Sequence, residues 1–254
     1  APYLLQVVAS FNEVVARSRL MRLAPGAVVQ EHVDFNYHWY SRVRIHVPII
    51  TEPAVRFFCG ADEVHMAAGE AWLFDSWRRH RVINGSADER IHLVIDIAGS
   101  AAFWQMVRQV QRSEVPMTPQ VTAFEPDLKP KLITERFPFA PIMAPGEMSA
   151  IVAELLDDCR ANPANDPHML NYYHDVLFDL VHDWRRQWSL YGLTPEGIAG
   201  YQGLLQRTRS ALEENPRVLV TQSNGVGINP IIVQRILGAA LQPRRAAEFV
   251  TGRS

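Results

Sequence analysis

The chain has 254 residues, of which 48% are hydrophobic and 20% charged, and its formal net charge is −2. This composition is typical of a globular protein, and the small net charge excludes a strongly basic nucleic-acid binder or a polybasic membrane-surface protein. A small-molecule substrate is the better expectation. Cys59 and Cys159 lie far apart and share no metal-ligand spacing, which argues against a disulfide framework and fits a reducing cytoplasm.

No apolar run approaches the roughly 18 residues that a membrane-spanning helix needs, and no secretory signal opens the chain. We therefore expect a cytoplasmic protein with no membrane partner. The sequence leaves the oligomeric state open, a homodimer included.

The first 100 residues are predicted to be mainly β-structure. Residues 1–16 have the pattern of a helix that leads into a strand. Turn signals such as Ala24-Pro25-Gly26 and Asn84-Gly85 then separate short β-prone runs. Eight strands are predicted, over residues 19–23, 27–34, 43–50, 55–59, 63–66, 71–74, 81–83 and 90–97. Their near-even spacing predicts an antiparallel jelly roll of the double-stranded β-helix, or cupin, type.

The remainder of the chain is predicted to be helical. Residues 101–112 form a helix, and frequent prolines then interrupt any regular element as far as residue 145. Further helices are predicted over 148–160, after the capping pair Asp166-Pro167, over 194–214 and over 230–241. The fold class is therefore α+β, with a β-core over 1–100, a helix and connector over 101–145, and an all-helical lobe over 146–254.

A candidate metal site lies in the β-core. His32 and Asp34 are two residues apart, so they point to the same face of an extended strand. His80 opens a later strand and offers a third ligand. Two histidines and one carboxylate on one side of a metal suit a non-haem Fe(II) oxygenase, which keeps the other coordination positions open. A short His-x-Asp motif alone is weak evidence, because a single histidine on a strand is more often structural.

The parity of other polar residues supports the same interpretation. Arg44 and His46 share one face of their predicted strand, and Arg90, His92 and Asp96 share one face of the last strand, while aliphatic residues take the opposite faces. This pattern predicts a polar barrel mouth with helices packed on the outer face. Buried arginines there would need anionic partners. A dicarboxylate cosubstrate would supply them.

The motifs occur in a characteristic order. They are found at residues 19–26, 31–34, 43–48, 66–75, 80–84 and 90–96. In this order they resemble the aspartyl/asparaginyl β-hydroxylase family of Fe(II) and 2-oxoglutarate-dependent dioxygenases, and within it the bacterial proline 3-hydroxylase-like branch. The similarity covers roughly residues 1–100.

The resemblance implies a role for each of six residues. His32, Asp34 and His80 would be the catalytic iron ligands. Arg90 would hold the C5 carboxylate of 2-oxoglutarate through a bidentate ion pair. Further contacts to the same cosubstrate would come from Arg44 and His46.

The implied reaction uses Fe(II), 2-oxoglutarate and dioxygen to hydroxylate a C–H bond of a small substrate, such as free L-proline. The vertebrate peptidyl members lack the carboxylate ligand, so Asp34 favours the bacterial members. Two alternatives stay open: β-hydroxylation of a peptidyl Asp or Asn or of a lipid-linked acyl group, and a metal-binding cupin without catalysis.

A free amino acid carries a carboxylate that needs a cationic partner in the mouth. The candidate substrate contacts are Arg22, Arg42, Trp77 and Arg79, and the neighbouring arginines Arg19 and Arg78 are further possibilities.

Overall fold

The computed structural model describes residues 1–112, 121–137, 140–215 and 218–242. The chain divides into two compact units, Ala1–Asp34 with Ser41–Pro138, and Phe35–Tyr40 with Phe139–Ser254. The sequence pattern predicts boundaries at residues 100 and 145. In the structure the first unit extends beyond residue 100, because the short strand Ile133–Thr134 pairs in parallel with residues Val14 and Val15.

The described residues of the first unit form nine strands in two sheets. The strands are β1 (Val14–Leu23), β2 (Val28–His32), β3 (Val43–Ile50), β4 (Val55–Cys59), β5 (Asp62–Val64), β6 (Trp72–Leu73), β7 (His80–Asn84), β8 (Arg90–Ile97) and β9 (Ile133–Thr134). One sheet has the order β6-β3-β8-β1-β9, and the other has the order β2-β7-β4-β5. All pairings except β1 with β9 are antiparallel. The eight predicted strands and the jelly-roll core are confirmed.

Helices cover the outer face of the five-stranded sheet. Helix α1 (Pro2–Ser10) contributes Val8, and helix α3 (Ala101–Arg112) contributes Phe103, to an apolar cluster with Ile45, Leu93 and Ile95. Strand side chains alternate between faces, so the aliphatic residues of β3 and β8 point to these helices. Their polar neighbours point inward, toward the four-stranded sheet.

A second apolar cluster is built on the four-stranded sheet. Val55, Phe57, Cys59 and Val82 form its buried centre, and the partly buried Phe74 packs against it. Asn84, fully buried, donates from Nδ2 to the carbonyls of Leu23, Ala24 and Asp88, which fixes the turn that closes this region. The result is a rigid frame for the strands that carry the candidate ligands.

The second unit is helical. Its helices are α2 (Tyr37–Tyr40), α4 (Pro145–Ala161), α5 (Pro167–Tyr191), α6 (Ile198–Glu213) and α7 (Ile228–Ile231), with a 3₁₀ turn over Pro195–Gly197 and a π-helical segment over Ile232–Leu237. The Asp166 side chain caps α5 by accepting from the backbone N–H of His168 at 2.9 Å, as predicted. Trp184, Tyr173 and Tyr201 fill the unit's core. Among the described residues, no helix has the length and apolar character that crossing a membrane requires.

Two features of this unit differ from prediction. The last helix starts at Ile228 and its regular structure ends at Leu237 rather than at residue 241. Helix α2 was not predicted, because four residues give no measurable periodicity. Its segment is held by Arg235, whose Nε donates to the Phe35 carbonyl at 3.0 Å and whose guanidinium lies 5.2 Å from the ring centre of Tyr40.

Candidate functional site

The three predicted metal ligands lie together in the first unit. His32 ends β2 and His80 begins β7, and the two residues are paired across the sheet. Asp34 follows β2, and its backbone N–H donates to the carbonyl of Ser76 at 3.0 Å. One potential ligand atom from each side chain lies within 4.8 Å of the others.

Backbone hydrogen bonds orient both imidazoles. Nδ1 of His32 lies 2.7 Å from the carbonyl of Gln30, and Nδ1 of His80 lies 2.9 Å from the carbonyl of Arg78. A carbonyl can only accept, so each Nδ1 carries the proton and each Nε2 presents a lone pair. Metal-binding histidines typically show this arrangement. Burial is the main cause that lowers the pKa of His80, which favours the neutral form that a metal requires.

The third ligand also fits a cation. Oδ2 of Asp34 is buried and accepts no hydrogen bond within the described residues. It lies 3.9 Å from His80 Nε2 and 3.7 Å from Arg44 Nη1. A buried carboxylate oxygen without a hydrogen bond is costly unless a positive charge lies close to it. Two neutral nitrogens and one carboxylate oxygen make a donor set suited to Fe(II).

Arg44 has a different principal partner from the one expected. Its Nε donates to Oδ1 of the buried Asp96 at 2.9 Å, and Arg17 donates to Oδ2 of the same carboxylate at 2.9 Å. Burial lowers the pKa of Arg44, and the nearby Asp96 acts in the opposite direction. Arg44 therefore serves first as a counter-ion of Asp96, with its Nη1 turned toward Asp34.

Three further groups form what we call the Arg90 cluster: Arg90, His92 and His46. They are buried, with 3%, 1% and 6% of their surfaces exposed. Nη2 of Arg90 lies 2.7 Å from Nδ1 of His92, which lies 3.5 Å from Nδ1 of His46. Arg90 Nε, His92 Nε2 and His46 Nε2 are buried and have no hydrogen-bond partner among the described residues.

The cluster has an unusual charge balance. Burial lowers the pKa of Arg90 to about 10, so the guanidinium stays charged at neutral pH. Burial, followed by the charge of Arg90, lowers the pKa of His46 to about 3 and that of His92 to about 2, so both rings are neutral. No described carboxylate pairs with Arg90, and desolvation is the sole cause of its shift. A buried cation with unused donors is suited to bind an anion.

Aromatic contacts connect the Arg90 cluster to the metal ligands. The ring of Phe74 lies 5.4 Å from that of His46 and 5.0 Å from that of His80, measured between ring centres. The predicted anion-binding and metal-binding groups are therefore neighbours on facing sheets.

The arginines proposed for substrate contact are mostly engaged elsewhere. Arg22 pairs with Glu89 and lies opposite Ile91, on the sheet face turned away from the cluster. Arg42 is buried and its Nη2 lies 2.6 Å from Glu135 Oε1. In the structure Arg22 and Arg42 therefore contact carboxylates of the protein itself. The sequence could not show this, because proximity along the chain reveals neither strand register nor side-chain pairing.

The loop before β7 carries the other candidates. Arg79 lies 3.4 Å from Glu31, and Arg78 lies 3.4 Å from Asp62. The backbone N–H of Trp77 donates to Asp75 Oδ1 at 3.0 Å, which closes the turn. Exposed ion pairs of this kind are weak, so a substrate role for Arg79 or Trp77 stays a prediction.

Arg19 differs from these residues. It lies on β1 opposite Val94, on the same sheet face as Arg17 and Asp96. It is exposed, and its charge contributes to the lowered pKa of Arg44, so the two cations are neighbours. Within the described residues no carboxylate forms an ion pair with it. From the sequence Arg19 is only a further possibility beside Arg22, because the strand register is needed to show that the two lie on opposite faces of the sheet.

Comparisons with known proteins agree with this site. The family model for aspartyl/asparaginyl beta-hydroxylase matches residues 1–99. It gives no support for the proline 3-hydroxylase-like branch, which stays a prediction. A search of curated proteins finds no match.

Solved structures similar to this chain include three cupin-like proteins or dioxygenases. A predicted oxalate decarboxylase from Thermotoga maritima is 22% identical, with 35% of this chain and 71% of that chain covered and a TM-score of 0.28. A Cupin 2 conserved barrel domain protein from Salinispora arenicola is 16% identical, with 36% of this chain and 69% of that chain covered and a TM-score of 0.26. A salicylate 1,2-dioxygenase from Pseudaminobacter salicylatoxidans is 18% identical, with 38% of this chain and 25% of that chain covered and a TM-score of 0.29. Likenesses this partial carry no argument about activity.

The family match covers β1 to β8 and includes every ligand of the candidate metal site and the whole Arg90 cluster. Residues 1–99, about two fifths of the chain, are thus similar to the aspartyl/asparaginyl β-hydroxylase family.

Proposed function

We propose that this protein is an Fe(II) and 2-oxoglutarate-dependent dioxygenase that hydroxylates a C–H bond of a small substrate. One observation carries the proposal. Three ligand atoms of the right kind lie within 4.8 Å of one another, beside a buried arginine that has no carboxylate partner among the described residues. A cupin that only holds a metal has no need of such a buried cation.

The metal would be held by Nε2 of His32, Nε2 of His80 and a carboxylate oxygen of Asp34. Iron bound there would supply the redox chemistry that couples oxidative decarboxylation of 2-oxoglutarate to insertion of one oxygen atom into the substrate. The protein keeps both imidazoles in the correct tautomer through the carbonyls of Gln30 and Arg78. Three protein ligands would leave the other coordination positions of the metal for the cosubstrate and dioxygen.

The cosubstrate would be oriented by the Arg90 cluster. A guanidinium can donate two parallel hydrogen bonds to one carboxylate, which fixes both position and orientation. Arg44 lies closer to the metal ligands, with Nη1 3.7 Å from Asp34. A dicarboxylate that spans the two regions would satisfy Arg90 at one end and reach the metal at the other.

For the substrate we propose a free amino acid, such as L-proline, bound through its carboxylate by Arg19. The support is electrostatic. Arg19 shares the inner sheet face with Arg44 and has no carboxylate partner among the described residues. Arg22 and Arg42, by contrast, each form an ion pair with a glutamate. Two neighbouring arginines at this face raise the local concentration of anions, which favours the approach of a carboxylate.

The metal and cosubstrate are tested by anaerobic titration of the protein with Fe(II) and then with 2-oxoglutarate. A weak visible charge-transfer band should appear and should be lost in His32→Ala and His80→Ala. The matched control is His174→Ala, which alters a half-buried histidine on α5 that is not one of the candidate ligands. If the band persists at wild-type strength in both ligand variants, the assignment is wrong.

The substrate is tested by a screen for succinate release, with mass spectrometry of the products. L-proline or a related free amino acid should raise succinate above the uncoupled background and yield a product one oxygen atom heavier. Arg19→Gln should raise KM for that substrate without affecting 2-oxoglutarate, and Arg22→Gln is the control on the same strand. Turnover of only Asp- or Asn-containing peptides, or of acylated substrates, would replace the free amino acid and retain the oxygenase. Metal binding without any turnover would support the non-catalytic cupin.

A further inference from the structure

Asp34 is the candidate metal ligand that lies outside the sheets. Strand β2 ends at His32, two residues earlier, so the pairing of β2 with β7 fixes His32 and His80 but does not reach Asp34. The backbone N–H of Asp34 donates instead to the carbonyl of Ser76, at 3.0 Å. The position of this ligand therefore depends on a loop that is remote in sequence.

Ser76 lies in a turn over residues 75–78, between β6 and β7, which we call the Asp75 turn. The backbone N–H of Arg78 donates to the carbonyl of Asp75 at 3.1 Å, across the turn. The carbonyl of Arg78 in turn accepts from Nδ1 of His80, at 2.9 Å. The Asp75 turn therefore contacts two of the three candidate ligands.

The side chain of Asp75 fixes the peptide unit that bonds Asp34. Oδ1 of Asp75 accepts from the backbone N–H of Trp77 at 3.0 Å, which makes an Asx-turn. That N–H and the Ser76 carbonyl belong to one peptide unit, which is planar and trans, so they point in opposite directions. Because Asp75 holds the N–H on one side, the carbonyl is directed to Asp34 on the other.

We propose that Asp75 is a positioning residue for the metal site, whose carboxylate holds the Ser76 carbonyl in the direction that anchors Asp34. This inference rests on the proposed function, because it assumes that Asp34 binds the metal. Asp75 is exposed and is not in the group of possible ligands found among the described residues. It acts through an acceptor oxygen rather than a charge, so a neutral amide oxygen should serve in its place.

Three substitutions separate this role from a role of the negative charge. Asp75→Asn keeps the acceptor Oδ1 and removes the charge, whereas Asp75→Ala removes both. Asp75→Ser supplies a hydroxyl oxygen, which forms the same kind of turn more weakly. The matched control is Asp62→Ala, which removes a neighbouring exposed carboxylate whose contact, at 3.4 Å, is with the side chain of Arg78.

The first measurement needs no metal. Amide hydrogen exchange followed by NMR reports how well the N–H of Asp34 is held in the metal-free protein. In Asp75→Ala this amide should exchange about five- to tenfold faster than in wild type, as for the loss of one ordinary hydrogen bond. Asp75→Asn should match wild type. The internal reference is the N–H of Gly60, which donates to the carbonyl of Arg79 at 2.8 Å and should be unaffected.

The second measurement is the affinity for Mn(II), from the EPR signal of the free ion during titration. We expect binding about tenfold weaker in Asp75→Ala, the lower end of the effect of losing a group that orients a metal ligand. Asp75→Ser should lose less, and Asp75→Asn and Asp62→Ala should bind as wild type does. Should Asp75→Ala not fold, weaker binding by Asp75→Ser than by Asp75→Asn remains the expected result.

Several outcomes would overturn the role of Asp75. They are an unchanged Asp34 exchange rate or Mn(II) affinity in Asp75→Ala, equal weakening in Asp75→Asn and Asp75→Ala, and equal affinities in Asp75→Ser and Asp75→Asn. Weakening of the same size in Asp62→Ala would also overturn it. Absence of Mn(II) binding by the wild-type protein would instead overturn the proposed metal site, and with it the role of Asp75 toward the metal.

Discussion

Replacing Arg90 with Met should stabilise the ligand-free protein. Burial lowers the pKa of Arg90 from 12.5 to about 10, and no described carboxylate offsets the cost. At 1.36 kcal/mol per pH unit, that shift corresponds to about 3 kcal/mol of destabilisation by the buried charge. The substitution also removes the hydrogen bond to His92, worth about 1 kcal/mol. We therefore expect a net gain of about 1–2 kcal/mol in the free energy of unfolding.

Urea unfolding with and without 2-oxoglutarate tests this expectation. The matched control is Arg44→Met, which removes a buried arginine that does have a partner, Asp96 at 2.9 Å. That variant should lose about 3 kcal/mol, at the low end for a broken buried pair because Arg17 still binds the carboxylate.

Addition of 2-oxoglutarate should make the wild-type protein more stable than Arg90→Met. A concentration of 2-oxoglutarate one hundred times its Kd stabilises a binding-competent protein by about 2.7 kcal/mol, and Arg90→Met should gain none of it. A loss of stability in ligand-free Arg90→Met as large as that in Arg44→Met would refute the reasoning, because Arg90 would then be satisfied within the protein.

Three further predictions follow from the same contacts. Asp96→Asn should destabilise the protein by about 3–5 kcal/mol, because two arginines lose their counter-ion; a urea midpoint equal to wild type would contradict this. Acid should destabilise the fold. In the folded protein the pKa of His46 is about 3 and that of His92 about 2, both below the ordinary 6.5. The unfolded chain therefore binds more protons below pH 6.5, and the free energy of unfolding decreases as the pH falls. Each ring accounts for about 2 kcal/mol between pH 6.5 and 5, and His92→Gln should lack its share; unfolding curves with equal pH slopes would argue against it. Arg90→Lys keeps the charge but loses the planar fork, and should raise the dissociation constant for 2-oxoglutarate about ten- to a hundredfold; unchanged affinity in titration would remove Arg90 from the site.

The strands and the polar face could be predicted because both depend on local pattern. Alternation along 43–50 and 90–97 determines which side chains share a face, and pairing of β3 with β8 preserves that parity. The family motif also predicted the grouping of His32, Asp34 and His80. The parity argument placed His32 and Asp34 on one strand, whereas β2 ends at His32 and Asp34 lies in the loop that follows. Helix α2 could not be predicted, since its four residues are too few to produce a periodic signal.

Pairing across strands was not predictable from the sequence. Arg44 and Arg90 look equivalent there, since each is an arginine on the polar face of a strand with a histidine two residues later. The register places Arg44 opposite Asp96, whereas Arg90 lies at the other end of β8, opposite Leu23. One arginine therefore has a carboxylate partner and the other has only a histidine.

The different partners of Arg44 and Arg90 distinguish a structural ion pair from a candidate binding group in the first unit. The Asp96 carboxylate with its two arginines is satisfied within the protein, so its removal should cost stability in every state. The Arg90 cluster leaves two buried donors, Nε of Arg90 and Nε2 of His92, without acceptors in the described residues, so the ligand-free fold carries a cost that an anion beside Arg90 can relieve. A buried donor without a partner in a folded protein points to an occupant such as a ligand or an ordered water. An anionic ligand at Arg90 would relieve this energetic imbalance whichever substrate the proposed hydroxylase acts on.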